Sequence, residues 1–160
     1  TLDELSELTQ SLSHKEKKKQ VETYITNLKT RYQNLEQLFF CEDYLIDGIL
    51  TDFAAFCRKQ KIEADILFQN YHRGNIKSED SVAILLKLIE YAKQAAKVKL
   101  HAAAIKNQLV YSVELKEQPI SERKIKISPK EFKKYVKKYD GEVSIEEEGG
   151  TVRIILGLKR

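Results

Sequence analysis

The chain of 160 residues is long enough for one α/β domain with a helical appendage and too short for two globular domains. Hydrophobic residues at 42% and charged residues at 32% exclude a disordered or low-complexity chain. No run approaches the roughly 18 apolar residues that cross a bilayer, and a net charge of +4 is weak support for a nucleic-acid binder.

Cys41 and Cys57 lack paired C-x-x-C spacing, so they read as reduced core thiols rather than a zinc site or a disulfide. That usage points to a cytoplasmic chain. The absence of Met and the opening Thr1 are read as an excised piece of a longer protein.

Leu2, Leu5, Leu8 and Leu12 predict an amphipathic helix over 1–12, and Ser13 with Glu16 has the form of a capping box that opens a second helix. Val21, Ile25, Leu28, Tyr32, Leu35 and Phe39 then recur at alternating steps of four and three. This heptad seam asks for a partner helix, and a homodimeric four-helix bundle supplies one. A third helix is predicted over 44–56 from Leu45, Ile49, Leu50, Phe53 and Phe56, ending in the basic run 58–61.

Ile62, Ala64, Ile66 and Phe68 alternate as a strand with one buried face, and the turn 72–75 contains His72 and Gly74. Ser78 is expected to cap a long helix over 79–97. Period-two patterns then predict strands over 98–105, 109–115, 141–147 and 151–158, with hairpin turns at Lys106-Asn107 and Gly149-Gly150. Ser128-Pro129-Lys130-Glu131 has the form of another capping box, opening a helix to about 140. The order implies an α+β fold: a helical dimerisation hairpin over 1–60 followed by an α/β sandwich over 61–160, a mixed sheet with helices on one face.

With Leu85-Leu86-Lys87-Leu88-Ile89-Glu90-Tyr91-Ala92 on the central helix and Tyr139-Asp140-Gly141-Glu142-Val143-Ser144-Ile145 before the last hairpin, this order resembles the sensor histidine kinases. The stretches Val21-Glu22-Thr23-Tyr24-Ile25-Thr26-Asn27-Leu28 and Leu45-Ile46-Asp47-Gly48-Ile49-Leu50 are similar to the quorum-sensing peptide-receptor branch. The resemblance implies a sandwich of the GHKL ATPase type, ATP and magnesium as cofactors, a response regulator as partner and phosphoryl transfer to a bundle histidine.

It also implies where nucleotide chemistry belongs. The family's magnesium-ligating Asn falls on Tyr91, its frequent second polar Asn falls on Lys87, and Glu90 lies between them. A phenol is too bulky to replace a carboxamide at a magnesium ion that wants compact oxygen ligands at about 2.0–2.1 Å. The adenine-fixing Asn or Asp expected after the strand 109–113 is replaced by Glu114-Leu115-Lys116-Glu117-Gln118-Pro119. The Gly-rich phosphate loop is replaced by Arg123-Lys124-Ile125-Lys126-Ile127-Ser128-Pro129, with no glycine between Gly74 and Gly141. His14 sits at the helix turn, not on the first bundle helix, and is not taken as the phosphoacceptor.

Glu90 and Lys87 also read simply as i, i+3 neighbours of opposite charge. His101 reads as structural and His72 as a turn residue. The lysine runs at 15–19 and 130–138 read as solvated helix faces, because Glu146-Glu147-Glu148 opposes them and no aromatic platform is interleaved. The second run offers an alternative, docking to an acidic response-regulator surface.

The sequence therefore points to the cytoplasmic C-terminal part of a histidine-kinase-like signalling protein, acting as a dimeric scaffold with a degenerate nucleotide site. No residue is assigned a catalytic or metal-ligating role. An active kinase with a divergent site, a phosphorelay phosphotransferase and, less favoured, a nucleic-acid binder stand as alternatives. Membrane attachment is expected only through an upstream part.

Overall fold

The computed structural model describes residues 14–33, 40–119 and 124–160. The helix expected over 1–12, the Ser13 capping box and the seam positions Leu35 and Phe39, with the Tyr32 side chain, lie outside the described residues.

Helix α1 (His14–Gln33) buries Leu28 fully and Tyr24 nearly so, while Val21 and Ile25 are half-buried against the same core. The Tyr24 hydroxyl donates to Asp52 Oδ2 at 2.5 Å on helix α2 (Tyr44–Gln60). Part of the predicted seam is thus covered by the chain itself. The N-terminus of α2 is capped by Asp43, whose Oδ1 accepts from the Leu45 and Ile46 amides. Asp47 is fully buried on the first turn, where Oδ1 accepts from the Phe40 amide at 2.5 Å and the Cys41 amide at 3.3 Å, folding the entering chain onto the helix. Lys61 ends α2 in the left-handed region at φ 57°.

The sheet has five strands in the order β1 (Glu63–Leu67), β2 (Lys97–Ile105), β3 (Gln108–Lys116), β5 (Thr151–Lys159) and β4 (Glu142–Glu148). Strand β1 runs parallel to β2, with Ala64 opposite Val98, and every other pair is antiparallel. Alternation sorts the faces: Leu100, Tyr111, Ile154 and Leu156 are buried, whereas Lys99, Ser112, Arg153 and Ile155 point outward. Helix α2 and helix α3 (Ser78–Ala92) cover the inner face, joined by a 3₁₀ turn (Pro129–Phe132) running into helix α4 (Lys133–Lys138). This is the expected α+β architecture with a mixed sheet.

Two hairpins form at the predicted turns, with Lys106, Gly149 and Gly150 at positive φ. A Cβ on Gly141 would stand 2.1 Å from the Gly157 carbonyl oxygen, so only glycine lets β4 begin so close to β5.

Several local expectations are corrected. Strand β1 is one residue shorter at each end than predicted, and Ala64 on its supposed buried face is exposed. Ser78 is the first helical residue of α3 rather than its cap; the cap position is Lys77, which has no side-chain cap bond. Helix α3 stops at Ala92, five residues early, because Lys97 is claimed by β1 and β3 and the Ala96 amide bonds to the Lys116 carbonyl at 2.8 Å. Ser128 caps through its hydroxyl to the Lys130 amide at 3.3 Å, one residue earlier than a capping box requires, and a 3₁₀ turn results. The helix it opens ends at Lys138 rather than near 140.

Both cysteines are free and buried, and burial pushes Cys41 up to about 12 and Cys57 up to about 11. At neutral pH both are protonated thiols.

Candidate functional site

The predicted site residues lie on the C-terminal half of α3. Ile84, Leu88 and Tyr91 follow steps of four and three, and all three are buried in the main core. Tyr91 keeps only 8% of its surface exposed, so its ring belongs to the core-facing stripe. Lys87 and Glu90 lie beside that stripe and are half-buried. The predicted i, i+3 pairing between them is not made: among the described residues neither side chain has an ion pair. The Glu90 carbonyl accepts from Gln94 Nε2 at 3.4 Å.

The segment that replaces the Gly-rich loop, with the 3₁₀ turn and helix that follow it, sends apolar side chains inward. Ile125 and Phe132 are buried, and Ile127, Tyr135 and Val136 are half-buried against the same core. A loop meant to cradle phosphates offers backbone amides and no side chains; here side chains occupy the interior.

The N-terminal half of α3 is a polar junction that sequence reading did not identify. Asp80, only 7% exposed, accepts a short hydrogen bond from the Tyr139 hydroxyl and pairs with Lys138 Nζ at 2.8 Å. The Tyr139 oxygen in turn accepts from the Lys77 amide at 3.0 Å. A residue 62 positions away thus meets the N-cap amide of a helix that has no side-chain cap of its own. Burial pushes the Asp80 carboxyl upward, but Lys138 and Tyr139 outweigh it and hold the group below the ordinary carboxylate range. Tyr139 is raised by burial and by its bond to Asp80, and Lys138 is raised by its bond to the same carboxylate. An acidic residue in the first turn was the available signal, since helix N-termini favour negative charge; its partners, 58 and 59 positions on, were not legible.

The open concavities lie elsewhere. One cleft of about 460 Å³ is bordered by Glu42, Asp43, Tyr71, His72, Arg73, Gly74 and Arg160, and an adjoining one of about 300 Å³ by Lys29, Asp43, Tyr44, Leu45, Arg73 and Ser78. Neither reaches Lys87, Glu90 or Tyr91. Their shared charges are already engaged: Arg73 Nε lies 3.6 Å from Asp43 Oδ2, and its NH1 donates to the Ile76 carbonyl at 2.9 Å. Beneath them the Tyr71 and Tyr111 rings meet edge to face at 6.5 Å, and burial pushes the Tyr71 hydroxyl up to about 12.

His72 is an exposed loop residue, as predicted. His101 sits on the outer sheet face with Nε2 3.0 Å from Asp65 Oδ2, a cross-strand contact that fits its structural reading. Among the described residues no group of three or more His, Cys, Asp or Glu side chains is placed to hold a metal, and no helix is long and apolar enough to cross a membrane.

No protein-family profile matches the chain, and no curated protein does. Solved structures do match. The catalytic domain of the histidine kinase ThkA in a nucleotide-free form is 20% identical over 71% of this chain and 88% of that one, with a TM-score of 0.54. A second nucleotide-free form of ThkA is 16% identical over 74% of this chain and 91% of that one, also with a TM-score of 0.54. At such identity the shared property is the backbone arrangement: the chain carries the fold of a histidine kinase catalytic domain.

Proposed function

We propose that the chain is the C-terminal part of a sensor-histidine-kinase-like signalling protein of the quorum-sensing branch, in which the sandwich acts as a packing and docking module without nucleotide chemistry. The observation that carries this reading is Tyr91. On the resemblance, this position should offer a carboxamide oxygen to magnesium; here a phenol ring occupies the core-facing stripe of α3. The flanking positions support the same reading, since Lys87 and Glu90 make no joint polar site and Ile125 and Phe132 fill the interior beside the substituted loop.

In this account the helical region over 1–60 dimerises through the remainder of its seam, the sandwich over 61–160 supports it, and an acidic response regulator is the soluble partner. Such a scaffold would work in the cytoplasm and relay a signal received elsewhere in the protein. The test is binding of Mg-ATP by calorimetry, with ADP and magnesium-free ATP as controls. The proposal expects no heat of binding at millimolar nucleotide. Saturable, magnesium-dependent binding would replace it with an active kinase whose site is divergent. Phosphoryl exchange with a regulator in the absence of ATP would favour the phosphotransferase reading instead.

A further inference from the structure

Residues 124–138 contain seven lysines and one glutamate, a net +6 against +4 for the whole chain, so the remaining residues sum to −2. All seven lysines are exposed. The 3₁₀ turn and α4 turn Phe132, Tyr135 and Val136 inward and hold Lys130, Lys133, Lys134 and Lys137 outward. Lys138 pairs with Asp80, and Lys134 lies over the Tyr135 ring at 5.6 Å. Lys124, Lys126, Lys130, Lys133 and Lys137 have no ion pair among the described residues. Lys130 with Lys134, and Lys133 with Lys137, stand four apart, a spacing at which like charges destabilise a helix. Complementing the helix dipole accounts for the last turn, but not for lysines that begin at 124.

We propose that this lysine face docks on a bilayer of anionic phospholipid. The chemistry of the face selects among anionic partners. A protein interface needs an apolar or aromatic centre, and here the apolar side chains of the segment are buried or half-buried beneath the lysines. Single-stranded nucleic acid needs exposed rings for stacking, whereas Tyr135 and Tyr139 are partly buried under the helix. Specific duplex recognition relies on arginine forks at base edges, and residues 124–138 hold no arginine.

The helical part of the basic strip, Pro129 to Lys138, is also short, about 17 Å by helical rise. It is followed in the chain by strand β4 with Glu142, Glu146, Glu147 and Glu148, all exposed. A duplex carries fixed charge along its whole length, more than a strip of this length can match, and the residues outside 124–138 sum to −2. A fluid bilayer can gather anionic headgroups under the lysines alone, and lysine clusters of this size suit such a surface. The inference rests on the lysine face alone and is independent of whether nucleotide binds.

The test is co-sedimentation of the whole chain with vesicles of equal parts phosphatidylglycerol and phosphatidylcholine, beside pure phosphatidylcholine vesicles and a short DNA duplex. Binding to the anionic vesicles at low salt, none to neutral ones, and release at high salt are expected. The quadruple variant K130Q/K133Q/K134Q/K137Q spares the Asp80 pair and should keep the thermal transition of the parent, yet bind the anionic vesicles about a thousandfold more weakly. Failure to bind anionic vesicles, binding undiminished in a folded quadruple variant, or tighter binding to the duplex than to the vesicles would overturn the proposal.

Discussion

The two halves of helix α3 face the same sandwich and do opposite things with it. At the N-terminal end Asp80 gathers Tyr139 and Lys138 from 59 and 58 positions away, closing the sandwich with charge and hydrogen bonds. At the C-terminal end Tyr91 lies in the apolar stripe, and beside it Lys87 and Glu90 have no ion pair among the described residues. The polar anchor of the sandwich is thus remote from the position where the resemblance would put a metal. A shared backbone arrangement does not carry its chemistry with it, so the two ends of the helix can be tested separately.

The largest expected effect comes from exchanging the phenol for the carboxamide the resemblance calls for. Tyr91→Asn removes a buried ring and should cost about 2–4 kcal/mol in urea unfolding, without creating magnesium-dependent ATP binding. A variant that kept full stability would show that the ring is not part of the core. Gly141→Ala is next: its Cβ would collide with the Gly157 carbonyl, so β4 and β5 must separate locally, at about 2–3 kcal/mol.

At the anchored end, Asp80→Ala should lower stability by about 1–2 kcal/mol, or about 2–8 °C in melting temperature, and should speed exchange of the amides in the first turn of α3. The same carboxylate sets a pH dependence. Its folded value lies below the unfolded one of about 4, so its contribution is fully present above that value and is lost as pH falls through the folded value. The acid limb of the melting curve should therefore flatten in Asp80→Asn. An unchanged limb would mean that other carboxylates govern acid unfolding. The smallest effects belong to Lys87→Ala and Glu90→Ala, each within about 0.5 kcal/mol; a larger cost at either would reveal a polar network at the C-terminal end.

Much of the sheet was legible in the sequence because period-two alternation is a local signal. Leu109, Tyr111, Val113 and Leu115 gave their strand within a residue at each end, and the Lys106-Asn107 and Gly149-Gly150 turns gave the hairpins. The core-facing place of Tyr91 was not read from the sequence, although its spacing from Ile84 and Leu88 carried the signal. What else escaped was decided by distant partners. Ser78 has the chemistry of a cap, yet the N-cap amide at Lys77 meets the hydroxyl of Tyr139. The stretch after Ala92 continues a helical pattern, yet β1 and β3 claim Lys97. Of the heptad seam, Leu28 meets the chain's own core, a contact that the periodicity alone does not specify.

The central claim is that the C-terminal end of α3 supports packing and holds no metal-bound nucleotide. The most direct measurement is the melting temperature of the whole chain with and without millimolar Mg-ATP. The account predicts coincident transitions. A magnesium-dependent rise, such as the roughly 2.7 kcal/mol that ligand at 100 times its dissociation constant contributes, would contradict it.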